Sequence, residues 1–464
     1  MENQLKEFLK EISRKVGAHP DEKKIVAFSF RRDQFFDSSK INSILRSNTP
    51  SFYMSRKSSK FKLLAVGKAI EVSTNREGQF DELKNKISQV SKNFVSNIEG
   101  PEFAHLPLFV GGRQFYSQPG SETWKDFPAS FWFIPKLMIV EHNGMSAGMF
   151  TIIDEIRKID PDKAVLNLLM ELNRIDLAGE SKSAKVTIKS IEGDAPADKK
   201  RWADMVKKSL EAIENQKVKK VVISRKVEIT VSSEPDFYVL TKRLENDYPD
   251  CHTFVFHSGE SFFFGATPER LASFSHGRIY TDALAGSAPR GKNIEEDTAI
   301  GQQLLSDSKN LAEQKFVVDY IKNSLLDYVD EISVQQEPQL MKLANIQHLH
   351  SKIAAKLKDD TAMLSVVERL HPTPAVCGQP RESALELLTE LEEYPRGMYA
   401  GIIGWFNFKG DGEFAVAIRS ALAKNNKVTA FAGCGIVKGS QPEAEFNETK
   451  LKLKPILSLF EDEN

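Results

Sequence analysis

Cysteine is scarce: Cys251, Cys377 and Cys434 are the only three in 464 residues. They are too few and too scattered for a disulfide framework or a cysteine zinc site. Thiols left reduced suit the cytosol, so a cytoplasmic protein is expected. Long hydrophobic runs are missing too. The most apolar stretch, FWFIPKLMIV (131–140), is broken by Pro135 and Lys136 and falls far short of the roughly 20 residues a membrane span needs. The N-terminal MENQLKEFLKEISRKVG is charged throughout and lacks the apolar core of a signal peptide. Neither charge sign dominates: 63 basic residues face 64 acidic ones, a net charge of −1. No global field therefore draws the chain to nucleic acid. No internal repeat and no low-complexity segment is visible. Secreted, membrane-spanning and disordered classes are excluded. What is present, 41% apolar and 27% charged residues, is the composition of a globular protein. The length suits one large domain or two to three ordinary ones.

Residues 1–16 carry Leu5, Phe8, Leu9 and Ile12 at helical spacing and predict an amphipathic helix. The apolar runs at 25–30, 62–72, 107–115 and 131–140 alternate with turn residues and predict antiparallel strands. The polar stretch 177–200, rich in Ser, Gly and Lys, marks a boundary between a variable half, 1–190, and a second half, 195–464. Beyond it the pattern predicts a helix at 199–216, a strand at 219–231 and a hairpin-like run at 261–286 turning at His276-Gly277. A long helix is expected over about 295–330, and HPTPAVCGQPR (371–381) reads as an irregular loop. Strands follow at 398–408, 413–423 and 429–437, then a helix near 441–454 that Pro455 should end or kink. Strands and helices come in blocks with hairpins, so an α+β fold with mainly antiparallel sheets is expected.

Several polar residues contradict this patterning. Glu313 sits in the stripe formed by Phe316, Val317, Tyr320 and Ile321, where a carboxylate is costly unless a charge meets it. An ion pair with a lysine would account for it; so would a bound cation. Glu445, Glu448 and Lys452 share one face of the last helix, either as a solvated salt-bridged face or as oxygen ligands for a divalent ion such as Mg2+. Ser440 and Glu443 fit a capping box there. Lys220 abuts an apolar run; desolvated, it would be a base, and otherwise it is a strand-edge lysine. Glu269, after FFFG and Pro268, would stay protonated if buried and serve as an acid, or else pair with Arg270. The glycines of AGCGIVKGS (432–440) permit an anion site ahead of a helix. These patterns point to an anion-binding, Mg2+-compatible site in the second half and to no particular reaction.

As strings, the same residues resemble the chorismate-utilising enzymes. The matches KKVVISR, GATPERL, TDALAGSAPRG, SKNLAEQKFVVDYI, IQHLHSKI, LHPTPAVCGQP, YPRGMYAGIIGW, AVAIRSA, AGCGIV and SQPEAEFNETKLKL run in the family's order from about 219 to 453. The first half matches more loosely, chiefly around FVGGRQF, and resembles the variable half of long bacterial isochorismate synthases. The resemblance implies a four-layer α/β/β/α sandwich shared by both halves, with the active site deep inside. Lys220 stands where the water-activating members keep lysine and anthranilate synthases keep glutamine. Ala285 stands where aminodeoxychorismate synthases place a nucleophilic lysine. The HPTPAVCG loop is of the isochorismate synthase type. Two small departures, Ser287 for threonine and Cys434 for alanine, touch the pocket.

By this resemblance chorismate is the substrate and isochorismate the product. Lys220 would activate the water and Glu269 would protonate the leaving hydroxyl. Glu313, Glu445 and Glu448 would hold Mg2+. Ala285, Gly286, His348, Tyr399, Arg419, Gly433 and Lys452 would line the substrate site, with Arg419, Tyr399 and the Gly433 amide on one carboxylate. No glutaminase subunit, nucleic acid or membrane partner is implied, and a monomer is expected.

Overall fold

The computed structural model describes every residue except 16–22, 34, 48, 76–79, 98–105, 117–120, 182–185, 343–345, 360 and 462–464. Residue 16 of the first helix and part of the 177–200 boundary stretch thus lie outside the described residues. Strands form where expected with one exception, and nearly all pair antiparallel: the run expected as one strand at 413–423 is two, Gly412–Val416 and Ser420–Lys424, because the chain changes sheet between them. The one parallel pair among the described residues joins Lys23–Arg32 to Phe94–Ser96. Pairing branches at Ser130–His142, whose N-terminal part binds Phe109–Arg113 while its C-terminal part binds Met145–Glu155. On its other edge the whole strand follows Phe61–Thr74.

Two sheets leave this branch. One runs through Ser51–Arg56, His252–Ser258, Ser261–Thr267, Ser420–Lys424, Lys427–Ile436 and Lys220–Val231. The other runs through Ile402–Phe406, Gly412–Val416, Arg270–Ser275, Arg278–Pro289 and Ile346–Leu357. Strands from both halves of the chain alternate in these ladders. Ser51–Arg56 pairs with His252–Ser258, and Phe109–Arg113 with Ile402–Phe406.

The side-chain period of two sorts each strand between two cores. Phe263 enters a core shared with Phe406 and Phe414 of the other sheet, whereas Phe262 and Phe264 enter a core with helical Leu5, Leu168 and Leu240. Helix Ser308–Leu325 covers the outer face of the second sheet, placing Val317 and Ile321 in the core with Ile279 and Ile353. The result is a four-layer α/β/β/α sandwich.

Three further local expectations are corrected. The long helix is two, Ile294–Ser306 and Ser308–Leu325, because Asp307 is extended and its carboxylate accepts from the Asn310 amide as an N-cap. Pro455 lies inside Pro442–Leu457 without ending it; so near the C-terminus it removes only one backbone bond. The Ser440–Glu443 capping box does not form: the helix begins after Gln441, and Ser440 Oγ accepts from the Val437 amide instead. His276 and Gly277, both with positive φ, make the expected turn.

The chain changes sheet twice at one place. Pro268–Glu269 carries it from Ser261–Thr267 to Arg270–Ser275, and residues 417–419 carry it back from Gly412–Val416 to Ser420–Lys424. The two crossings are bonded together: Thr267 Oγ1 donates to Val416 O (2.6 Å), Val416 N to Glu269 O (2.9 Å) and Ala266 N to Arg419 O (3.2 Å).

Phe263 is fully buried against Phe254 and Trp124, with ring centroids 5.3 and 5.6 Å away. Phe263→Ala is expected to lower stability by about 3–5 kcal/mol, measured by denaturant unfolding. A loss below about 1 kcal/mol would contradict a packed core between the sheets.

Candidate active site

A cavity of about 360 Å3 opens beside the two crossings. All twelve residues singled out from the sequence line it: Lys220, Glu269, Ala285, Gly286, Glu313, His348, Tyr399, Arg419, Gly433, Glu445, Glu448 and Lys452. They arrive on six strands and helices and three connecting segments. Glu269 and Arg419 sit on the crossings themselves. Lys220 begins its strand, Ala285 and Gly286 lie at a bulge opposite His348, and Glu313 comes from Ser308–Leu325. The last helix contributes Glu445, Glu448 and Lys452.

Backbone geometry adapts to the site in two places. Gly286 has φ +69°, and a Cβ there would meet Asn310 at 3.0 Å. A Cβ on Gly433 would come within 3.0 Å of the Tyr399 hydroxyl, so glycine lets Tyr399 reach the strand. Arg419 and Ala400 adopt positive φ (50° and 58°) without being glycine, a strained conformation that clusters at functional sites.

The charges are arranged in pairs. Lys220 Nζ lies 2.7 Å from Glu313 Oε1. Lys220 is buried, but it is not the isolated amine that the sequence suggested, and Glu313 is met by a lysine. Lys452 Nζ lies 2.6 Å from Glu448 and also donates to Gly433 O at 3.1 Å. The Lys452 charge holds Glu448 down to about 2 against its burial. Burial pushes His348 down to about 3; it is a neutral imidazole whose Nδ1 meets Ser287 Oγ at 2.8 Å. Burial raises Tyr399 to about 12, which keeps it a hydroxyl donor.

Glu269 behaves differently. Burial raises it to about 7, outweighing the Thr373 hydroxyl and the charges of Arg419, Lys220 and Lys452. Among the described residues its side chain accepts a single, long hydrogen bond, from Thr373 Oγ1, 3.4 Å from Oε1. A carboxyl so placed is a proton donor near neutral pH.

Glu445 and Glu448 bring carboxylate oxygens within 4.8 Å of each other and of the Cys434 sulfur. Cys434 does not line the cavity; its thiol donates to Glu445 Oε2 at 2.6 Å. Two carboxylates on one helix, with Glu313 lining the same cavity, form an oxygen donor set that fits a hard divalent cation. Glu313 itself is turned to Lys220 rather than grouped with the other two.

Sequence reading missed Thr373 as the partner of Glu269, and Lys309 and Asn310 on the cavity wall. Thr373 lies in an irregular loop where no periodicity marks a direction. It also missed the buried pair Glu392–Arg396, whose spacing of four on a helix end looks like an ordinary surface pair.

Comparison with known proteins supplies the family. A model described as chorismate binding enzyme matches residues 7–461. The isochorismate synthase MenF of Bacillus subtilis is 32% identical over 416 residues, covering 88% of this chain and 87% of that protein. The salicylate biosynthesis isochorismate synthase of Pseudomonas aeruginosa is 31% identical over 409 residues, covering 87% and 83%. Among solved structures, the menaquinone-specific isochorismate synthase of Escherichia coli superposes with a TM-score of 0.79 at 23% identity, covering 98% of this chain and all of that one. Anthranilate synthase component I of Streptococcus pneumoniae gives 0.70 at 23%, covering 87% and 92%. At these identities the two superpositions speak for the fold.

Because Glu269 is raised to about 7, it is protonated below that pH and ionised above it. The infrared band of its protonated carboxyl, identified by its loss in Glu269→Gln, should titrate with a midpoint near 7. A midpoint at the ordinary 4.5 would mean that the carboxyl is solvated and no acid at neutral pH.

Proposed function

The chain belongs to the chorismate-binding enzyme family, and from that premise we propose that it is an isochorismate synthase, an isomerase converting chorismate to isochorismate. The observation that carries this reading is the presence of Lys220 and Glu269 in one cavity with Ala285. A lysine at 220 can take a proton from water, which glutamine cannot. An alanine at 285 has no amine to attack the ring.

Water attacks C2 as Lys220 removes its proton. Glu269, protonated near neutral pH, gives its proton to the departing C4 hydroxyl while the ring double bonds shift. Atoms balance: one hydroxyl enters and one leaves as water. In this structure Lys220 is paired with Glu313, so acting as base requires that Glu313 be otherwise engaged. Arg419 grips one substrate carboxylate, since its fork binds two oxygens at once, and Tyr399 donates to the same group. His348, neutral and held by Ser287, closes the pocket without adding charge. Glu313 and Glu448, with Glu445 through water, would hold Mg2+, which supplies positive charge against the ring carboxylate.

For the use of the product we propose menaquinone supply, supported by the match to the Bacillus subtilis MenF at 32% identity over 88% of this chain. We assign a monomer working in the cytoplasm with no glutaminase partner.

Purified protein incubated with chorismate and Mg2+ should form isochorismate without glutamine, ammonia or a second subunit. Lys220→Ala and Glu269→Ala should each lower kcat by roughly 10²–10⁴-fold with the fold intact. Stoichiometric salicylate and pyruvate would transfer the assignment to salicylate synthase, and a product seen only with ammonia would transfer it to the amine-transferring class.

Chelation should abolish turnover and Mg2+ restore it, while Glu448→Ala should bind Mg2+ too weakly for rescue at ordinary concentrations, as read by calorimetry. Full turnover in excess chelator would sink the role given to these carboxylates.

A further inference from the structure

Directly behind the cavity wall, Glu392 and Arg396 form an ion pair whose side chains are 0% and 1% exposed. Neither residue lines the cavity at the crossings. The pair is two-pronged: Arg396 Nη2 lies 2.6 Å from Glu392 Oε1, and Nε 2.8 Å from Oε2. Burying two charges is costly even when they are paired. A pair kept here therefore calls for an account beyond stability.

The remaining hydrogen bonds supply it. Arg396 Nη1 donates to Val376 O (2.8 Å) and Nη2 to Val222 O (2.5 Å). Glu392 Oε1 accepts from both the amide and the hydroxyl of Ser224 (2.8 and 2.9 Å). The guanidinium lies over the Phe115 ring, 4.4 Å from its centroid, which leaves it no freedom to turn. Val222 and Val376 both line the cavity. Val222 stands two residues from Lys220 on the same strand. Val376 belongs to the turn whose Thr373 donates to Glu269, and that turn is closed by Val376 N and Cys377 N bonding to Thr373 O. One guanidinium thus straps the segment that carries Lys220 to the segment that holds Glu269.

We propose that Glu392 and Arg396 are positioning residues that set the separation of the base Lys220 from the acid Glu269. This rests on the acid–base reading above. Lysine cannot replace the arginine, because one ammonium cannot reach two carbonyls and a carboxylate with the geometry of a planar fork.

Arg396→Lys keeps the charge and loses the fork. It should lower kcat on the order of 10–100-fold, the scale of a displacement near 1 Å, while KM for chorismate stays within about threefold. Introduced into Lys220→Ala, the same substitution should cost no further kcat, because the spacing it sets no longer matters. A merely structural role would add its loss in both backgrounds. If Arg396→Lys does not fold, Glu392→Gln carries the test: its amide oxygen in the place of Oε1 still accepts from Ser224 and Nη2, but the negative charge and the second acceptor, on Nε, are lost, and the same kcat loss is expected. Normal kcat in a folded variant, or additive losses with Lys220→Ala, would overturn the proposal. If instead Lys220→Ala and Glu269→Ala themselves retain kcat, the acid–base reading fails, and that result is separate from the behaviour of Arg396→Lys.

Discussion

Everything around the cavity hangs on two backbone crossings tied side by side. At Pro268–Glu269 and at residues 417–419 the chain leaves one sheet for the other. The bonds Thr267 to Val416, Val416 to Glu269 and Ala266 to Arg419 lock the crossings together. A strand pair ends its ladder where it crosses, so side chains there turn into the gap between sheets instead of into a core. Glu269 and Arg419 are those side chains. The positive φ of Arg419 is tolerated because the neighbouring ladder over-determines it.

Low dielectric then dictates how charge is placed. An uncompensated charge inside protein costs several kcal/mol, and the cavity answers with Lys220–Glu313, Lys452–Glu448 and, behind the wall, Glu392–Arg396. Among the described residues no cation lies within bonding distance of Glu269, and burial raises its carboxyl to about 7 while Glu448, with Lys452 at 2.6 Å, falls to about 2. Two carboxyls in one pocket are thereby separated into an acid and an anion by their neighbours alone. The pairing also joins proposed roles: Glu313, proposed as a cation ligand, is the partner of Lys220 in this structure. The proposed base and the proposed metal ligand are thus neighbours sharing one contact.

Much of the site was legible as contradiction of pattern. Glu313 in an apolar stripe, three polar residues on one face of the last helix and a lysine against an apolar strand all stand out locally. Each had a bland alternative, and for Glu313 the bland one, a lysine partner, is also what the fold shows. Ala285, Gly286, Tyr399 and His348 carry no such local signal; only the ordered family strings marked them, whereas Gly433 also stood in the glycine run 432–440. Thr373 and Arg396 escaped because an irregular loop and an i, i+4 pair look the same in sequence whether they face solvent or the interior. Asp307 was passed over as an ordinary acidic residue in a helical pattern, yet its side chain competes with the helix for the Asn310 amide and breaks it.

By itself the sequence determined the α+β class, the alternation that sorts Phe262, Phe263 and Phe264 between two cores, and the family. These follow from periodicities of two and 3.6 residues and from ordered strings, which are properties of neighbours along the chain. The tertiary structure alone decided which lysine meets which carboxylate, that Glu269 is left to hold a proton and that Cys434 bonds to Glu445 instead of lining the cavity. Those outcomes depend on separations of a few ångströms between residues as far apart as Lys220 and Glu313 or Glu269 and Thr373. Electrostatic and hydrogen-bond energies change steeply over such distances, and no local pattern encodes them.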